Sequence, residues 1–176
     1  MTLDPSQIIN NMKRSFNVYV GNALGEAEVN YDEDPFDTAG LTSWYSVRYG
    51  GYSSESSGMG DLIDEDSAAK GRYHVLKCEL SAWRRDDPQR AELGSMVDEI
   101  VALCEAPSVT FYDFADPENP VSIGKIYLRG GRGTFTPGWG GKDRGSVLKS
   151  IGDVHSEARM VGFVMELDLV GIAEVG

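Results

Sequence analysis

Alternation of apolar and polar positions predicts most of this chain's regular structure. In residues 72–83, and again in residues 158–170, most side chains at every second position are apolar. A period of two is typical of strands that place one face against a core. Shorter stretches with strand character lie at residues 26–31, 43–49, 109–114 and 121–128. The sequence therefore predicts six strands.

Two amphipathic helices are predicted, and each opens with the same start signal. Asp4 and Asp87 each precede a proline, which places an N-cap acceptor before a residue suited to the first helical position. The first helix is expected to end at Gly21 or Gly25, and the second before Pro107. The apolar stripes are Ile8, Ile9, Met12, Phe16 and Tyr19 in the first helix and Leu93, Met96, Val97, Ile100 and Cys104 in the second.

The order of these elements predicts the fold class. Two helices among six strands, without regular strand–helix–strand alternation or an internal repeat, favour an α+β fold. We expect a mostly antiparallel sheet covered on one face by the two helices, with long protruding loops. The loops are placed at residues 50–70 and 129–158, where the sequence is rich in glycine and polar residues. The whole chain, residues 1–176, is expected to form a single domain.

Charge is distributed unevenly along the chain. The sequence has 28 acidic and 16 basic residues, a formal net charge of −12. This balance argues against electrostatic capture of nucleic acid, which needs cations, although a protein that lets DNA slide past remains possible. Residues 21–41 contain six acids and residues 51–69 contain five, with no Lys or Arg in either range. Residues 119–152 reverse the pattern, with six bases and one acid.

Motifs for catalysis or cofactor binding are missing from the sequence. The glycine-rich stretch near Gly141 lacks the spacing of a phosphate-binding loop, and the acidic runs lack the ligand order of an EF-hand. Cys78 and Cys104 supply no disulfide framework and no zinc motif. We expect neither an enzyme nor a bound cofactor or metal. A small hydrolase whose carboxylates converge in the fold remains a distant alternative.

The basic, glycine-rich arm at 129–158 is the strongest candidate for a contact surface. Large apolar groups flanked by arginine are typical of interface anchors, although Trp139 packed back onto its own sheet is an equal alternative. A basic arm meeting an acidic face of the next copy gives head-to-tail contacts, which can close into a ring. The candidate contact residues are Arg132, Trp139, Lys142 and Arg144.

The passage from the first helix to the aromatic strand resembles a known family. The acidic strand at 26–31 is followed by Pro35-Phe36-Asp37 and then by the strand Trp44-Tyr45-Ser46-Val47-Arg48, and the chain ends in a strongly alternating strand. This order resembles the tail terminator and related tail-completion proteins of long-tailed bacteriophages. The resemblance covers residues 5–115 and 158–171 and leaves out the arm.

The resemblance implies a small structural protein that works as a ring, often hexameric. Such a ring caps the finished tail tube, stops its polymerisation and joins the tail to the neck, with no cofactor or catalysis. The implied partners are further copies of this chain, the tail tube protein and a neck or head-completion protein. The implied location is the virion, after assembly in the host cytoplasm, with no membrane partner. A head–tail adaptor or a tail tube subunit is the nearest alternative.

A ring of this kind lets DNA pass through its bore without specific binding. A negative lining repels phosphates, whereas a basic lining holds them. We therefore expect acids of residues 26–37 and 51–69 to face the lumen. The candidate lumen-facing acids are Asp32, Glu33, Asp34, Asp61, Asp64 and Glu65.

Overall fold

Two helices and six strands form the part of the chain that the structure describes. The computed structural model describes residues 5–25, 28–32, 40–56, 72–85, 91–136 and 160–173. In chain order the elements are α1 (Pro5–Leu24), β1 (Val29–Tyr31), β2 (Ser43–Ser56), β3 (Arg72–Arg85), α2 (Ala91–Cys104), β4 (Val109–Asp113), β5 (Val121–Thr136) and β6 (Met160–Ala173).

The strands form one sheet in the order β1-β2-β3-β6-β5-β4. Every neighbouring pair is antiparallel except β1 and β2, which are parallel. The predicted α+β class, with a mostly antiparallel sheet and two helices, is confirmed. One helix followed by three strands occurs twice along the chain, and the sheet order is mirrored about β3 and β6. The sequence shows no matching repeat because the similarity lies in element order and not in residues.

Both helices pack on the same face of the sheet. Helix α1 contacts β2, β3 and β4, and α2 contacts β3 and β6. Met12 of α1 lies directly over Gly171 of β6, where a methyl group would stand 3.0 Å from the Met12 side chain. Fully buried side chains such as Phe16 and Ile100 fill the interface, and burying each contributes about 1.5–3 kcal/mol. This covered face is the hydrophobic core.

Helix α1 also seals one edge of the sheet. The Tyr112 N–H donates to Ser15 Oγ at 2.9 Å, and the Phe114 N–H donates to Asn11 Oδ1 at 3.2 Å. These two amides are two residues apart, so both point away from β5, towards the outer edge of β4. An edge strand whose donors are already bonded is a poor template for pairing with another chain. These two donors at the outer edge of β4 are therefore already engaged and are not free to pair with another strand.

Two glycine pairs correct the predicted boundaries of the loops. Strand β2 continues to Ser56 and β5 continues to Thr136, so the first seven residues of the predicted loop at 50–70 and the first eight of the predicted arm at 129–158 are strand. Register shifts fall between Tyr49 and Tyr52 and between Arg129 and Arg132. Each glycine pair is a β-bulge that shifts the alternation of apolar and polar positions by one residue. In the sequence, this shift looks like the end of the strand although the strand continues.

The strands that flank residues 57–71 end at one end of the sheet, and those that flank residues 137–159 end at the other. His74 near the start of β3 lies opposite Gly171 near the end of β6, whereas Arg85 at the end of β3 lies opposite Met160 at the start of β6. The β2–β3 connection therefore leaves one end of the sheet, and the β5–β6 connection leaves the other. Residues 57–71 and 137–159 themselves lie outside the described residues.

Candidate functional site

The face of the sheet away from the helices carries a band of charged side chains. Strand register fixes the band, because residues paired across antiparallel strands point to the same face. One row crosses β2, β3, β6 and β5, and a second row crosses β3, β6 and β5 beside it. The first row is Arg48, Glu79, Glu166 and Arg132, and the second is Lys77, Asp168 and Arg129. We call these seven residues the charged band.

The two bulges shape the surface on which the band lies. The bulges lie on either side of the central strands β3 and β6, with Gly50–Gly51 in β2 beside Lys77 and Gly130–Gly131 in β5 beside Leu167. Gly130 and Gly131 have φ values of 79° and 135°, in the region that favours glycine. Bulges increase the local twist and bend a strand. Bends on both sides of β3 and β6 leave a half-open concavity of about 440 Å³, lined by the charged band and by Asp32.

Like charges meet at the centre of the charged band. Glu79 and Glu166 lie directly opposite each other on β3 and β6. Partial burial raises the pKa of Glu79 above its ordinary value, the Glu166 carboxylate raises it further, and Arg48 opposes the shift. Directly opposed like charges destabilise a sheet. The two carboxylates at the centre of the band therefore repel each other.

Three of the four cations of the band lie on its two outer strands, β2 and β5, and the fourth, Lys77, lies on β3. Arg48 on β2 and Arg132 on β5 stand at the two ends of the first row, with the carboxylates between them. Arg48 Nε is buried and has no hydrogen-bond partner among the described residues. Arg132 and Arg129 are exposed. With Asp32 included, the concavity contains four cations and four carboxylates, so its formal charges cancel.

A tryptophan cluster borders one end of the charged band. Trp44, Trp83 and Met160 are all buried there, and the Trp83 ring lies over Gly162, where a methyl group would stand 2.5 Å from the ring. The Trp83 indole N–H donates to Ser81 Oγ at 2.9 Å. The Arg85 guanidinium lies 5.4 Å from the centre of the Trp44 ring. Buried apolar side chains therefore fill this end of the face.

Only two of the predicted site residues lie in the described part of the chain, and both line the concavity. They are Arg132, within the first row, and Asp32, at the rim. The remaining predicted residues fall outside the described ranges: Trp139, Lys142, Arg144, Glu33, Asp34, Asp61, Asp64 and Glu65.

The other members of the charged band were missed by the sequence analysis. A signal was present, because Lys77, Glu79, Glu166 and Asp168 occupy the polar positions of the two most clearly alternating strands. Which of these residues become neighbours depends on the register between β3 and β6, and the sequence alone does not reveal that register. Arg129 was placed in a loop because the glycine pair after it interrupts the alternation.

Neither a metal-binding cluster nor a membrane-spanning helix occurs among the described residues. They contain no group of three or more His, Cys, Asp or Glu side chains arranged to hold a metal ion. Within the same residues, neither helix combines the length and apolar character needed to cross a membrane. The chain matches no known protein-family model and no curated protein.

Proposed function

We propose that this protein is a structural component of a long-tailed bacteriophage virion. In this proposal it assembles as a hexameric ring that caps the tail tube and joins it to the neck. The partners are other copies of the chain, the tail tube protein and a neck or head-completion protein. The protein is placed in the tail or neck after assembly in the host cytoplasm, with no cofactor and no catalytic role.

The observation that carries the proposal is the opposite direction of the two long hairpins. The β2–β3 hairpin leaves one end of the sheet and the β5–β6 hairpin leaves the other. A subunit built in this way has one strand connection at each end of its sheet. In this proposal one end contacts the tube and the other contacts the neck.

Net charge fits the passage of DNA through such a ring. Each copy carries a formal charge of −12, so six copies carry about −72 in total. A negative lining repels phosphates. Asp32 lies at the rim of the concavity on the open face, and in this proposal it faces the bore with the other predicted acids. A bore lined by Lys and Arg would contradict this part of the proposal.

Electron microscopy of the purified protein tests the proposal against its nearest alternatives. A terminator is expected to stop at single closed rings, whereas a tail tube subunit forms tubes of unlimited length. Recovery of rings bound to purified tail tubes would favour the terminator over a head–tail adaptor. Light scattering that shows a monomer at every concentration, in low salt, would reject the ring.

A variant tests the predicted contact residues within this proposal. Replacing Arg132 and Arg144 with glutamate is expected to weaken ring formation while the monomer stays folded. Arg132 is exposed, so its replacement removes little packing. Unchanged assembly of this double variant would reject the assigned contact.

A small hydrolase is the second candidate, and the Glu79–Glu166 pair is the observation that favours it. Adjacent carboxylates in a concavity, one with a raised pKa, are typical of acid–base sites. A broad hydrolytic screen, with and without divalent metal, tests this candidate. Activity that disappears in both Glu79→Gln and Glu166→Gln would favour the hydrolase, and a silent screen favours the structural protein.

A further inference from the structure

Strand β5 presents a basic stripe on the open face. Its exposed charged positions on that face are all cationic, at Lys125, Arg129 and Arg132. At a rise of about 3.3 Å per residue, with one residue taken up by the bulge, the stripe is about 20 Å long. Tyr127, which is 40% exposed, lies between Lys125 and Arg129. We call these four residues the β5 stripe.

Helix α2 presents a shorter acidic face on the other side of the molecule. The helix contains no Lys or Arg, and its outward side carries Asp98, with Glu105 directly after its last residue. From Asp98 to Glu105 the distance along the axis is about 10 Å at 1.5 Å per residue. Val101, 38% exposed, lies three residues after Asp98 and four before Glu105. We call this surface the α2 face.

The two surfaces differ in how far their charges are already engaged. Beside the α2 face, on the flank of the helix nearest β2 and β3, Glu92 pairs with Arg84, and Glu99 accepts a hydrogen bond from the Tyr45 hydroxyl. Asp98 and Glu105 remain as exposed carboxylates on the outward side. On the β5 stripe, the two arginines lie opposite Asp168 and Glu166, which partly neutralise their charge. Lys125 lies opposite the uncharged residues Ile172 and Thr110.

We infer that the α2 face of one copy docks on the β5 stripe of a second copy of this chain. The surfaces are opposite in charge, and each has an exposed apolar side chain between its charges: Val101 between Asp98 and Glu105, and Tyr127 between Lys125 and Arg129. Carboxylates of α2 then meet cations of β5, with Val101 against Tyr127 at the centre. Charge complementarity of this kind fixes register and suppresses wrong partners.

The position of the two surfaces makes the contact head-to-tail. Helix α2 packs on the covered face through β3 and β6, whereas the β5 stripe lies on the open face. A subunit with complementary patches on opposite faces leaves one of each unused after every docking event. Such heterologous contacts continue until a ring closes or a filament grows. Engagement of two donors at the β4 edge by Ser15 and Asn11 also favours contact through faces over extension of the sheet.

This contact rests on the ring of the proposed function, and a charge-swap experiment tests the two separately. One variant, Asp98→Lys with Glu105→Lys, makes both surfaces basic. The other, Lys125→Glu with Arg129→Glu, makes both surfaces acidic. Neither variant can dock on itself, but a mixture can alternate the two around a ring with an even number of subunits.

Mass photometry and electron microscopy then report assembly against concentration. Each variant alone is expected to need at least about tenfold more protein than wild type to assemble, and the equimolar mixture is expected to recover rings. Wild-type assembly is expected to weaken between 0.05 and 0.5 M salt because screening shortens the reach of exposed charges. Glu118→Lys, in the exposed segment between β4 and β5, is the control and is expected to assemble like wild type.

Each outcome decides the contact. The contact is overturned if either variant alone assembles like wild type, or if both variants are folded but their mixture stays monomeric. In both cases, wild-type rings would leave the proposed function standing. A wild-type chain that never assembles overturns the ring and this contact with it. A further outcome is that the wild-type chain forms tubes that neither variant forms alone and that the mixture restores. That result supports the contact and favours the tube subunit over the terminator. Lys125→Glu alone, far from the carboxylates of β6, repeats the test with less risk to folding.

Discussion

Replacing Glu79 with glutamine is expected to stabilise the protein at neutral pH. Glu79 lies directly opposite Glu166, and the net effect of burial and neighbouring charges raises its pKa despite Arg48. Cross-strand pairs of this kind contribute about 0.2–1 kcal/mol, and exposure to solvent favours the lower half of that range. We therefore expect Glu79→Gln to raise the free energy of unfolding by about 0.5 kcal/mol at pH 7.

The sign of the pH dependence follows from the direction of the pKa shift. A carboxyl whose pKa is higher in the folded chain binds more protons when folded, in the pH window between its two pKa values. Ionisation of Glu79 therefore lowers the stability of wild type as pH rises through that window, which begins at the ordinary value of 4.5. Below the window Glu79 is protonated in both states, and the advantage of glutamine disappears.

Urea unfolding at pH 7 and pH 4 measures this effect, at one protein concentration because assembly also shifts apparent stability. Glu118→Gln removes the same charge from an exposed segment away from the pair and serves as the control. Glu166→Gln is expected to relieve the same repulsion, so the double variant should gain less than the sum of the two single variants. A loss of stability in Glu79→Gln, an equal gain at pH 4, or full additivity would refute the reasoning.

Three further outcomes test the packing and chemistry of the fold. Gly162→Ala pushes a methyl group into a buried indole ring and is expected to lower the free energy of unfolding by about 1–3 kcal/mol. Gly94→Ala has open space around it in α2 and is expected to raise the free energy of unfolding, measured by thermal unfolding, by up to about 1 kcal/mol. Ser15→Ala leaves the Tyr112 amide of β4 without its acceptor and is expected to lower the free energy of unfolding by about 1–3 kcal/mol. Hydrogen exchange at that amide is expected to become faster, and unchanged exchange would contradict the edge contact. Burial raises the pKa of both thiols, most strongly that of Cys78, so a thiol reagent at pH 8 is expected to label Cys104 first and Cys78 only after unfolding.

The charged band has a consequence for how the proposed ring is assembled. Its exposed arginines, Arg129 and Arg132, lie on β5, to one side of the acidic pair at its centre. Rim charges of this kind govern the rate and salt dependence of association more than its final affinity. Rings that form rapidly in low salt and slowly in high salt would fit the proposed contact.

The local sequence determined the kind and number of elements in this protein. The N-cap and proline at Asp4 and Pro5, together with a stripe at helical spacing, predict α1 because those features act within one or two turns. Alternation predicts β3 and β6 in the same way, since a period of two depends on the chain's own geometry. All three elements lie where the sequence places them, within two or three residues.

Tertiary structure alone decided where the strands end and which charges meet. A glycine pair is compatible with a loop or a bulge, and pairing with the neighbouring strands selects the bulge at Gly50–Gly51 and at Gly130–Gly131. The Glu79–Glu166 pair joins residues 87 positions apart, and a shift of one residue in the β3–β6 register would turn one of them to the other face. Register is a property of two strands packed on a shared core, so the charged band is decided by the fold as a whole.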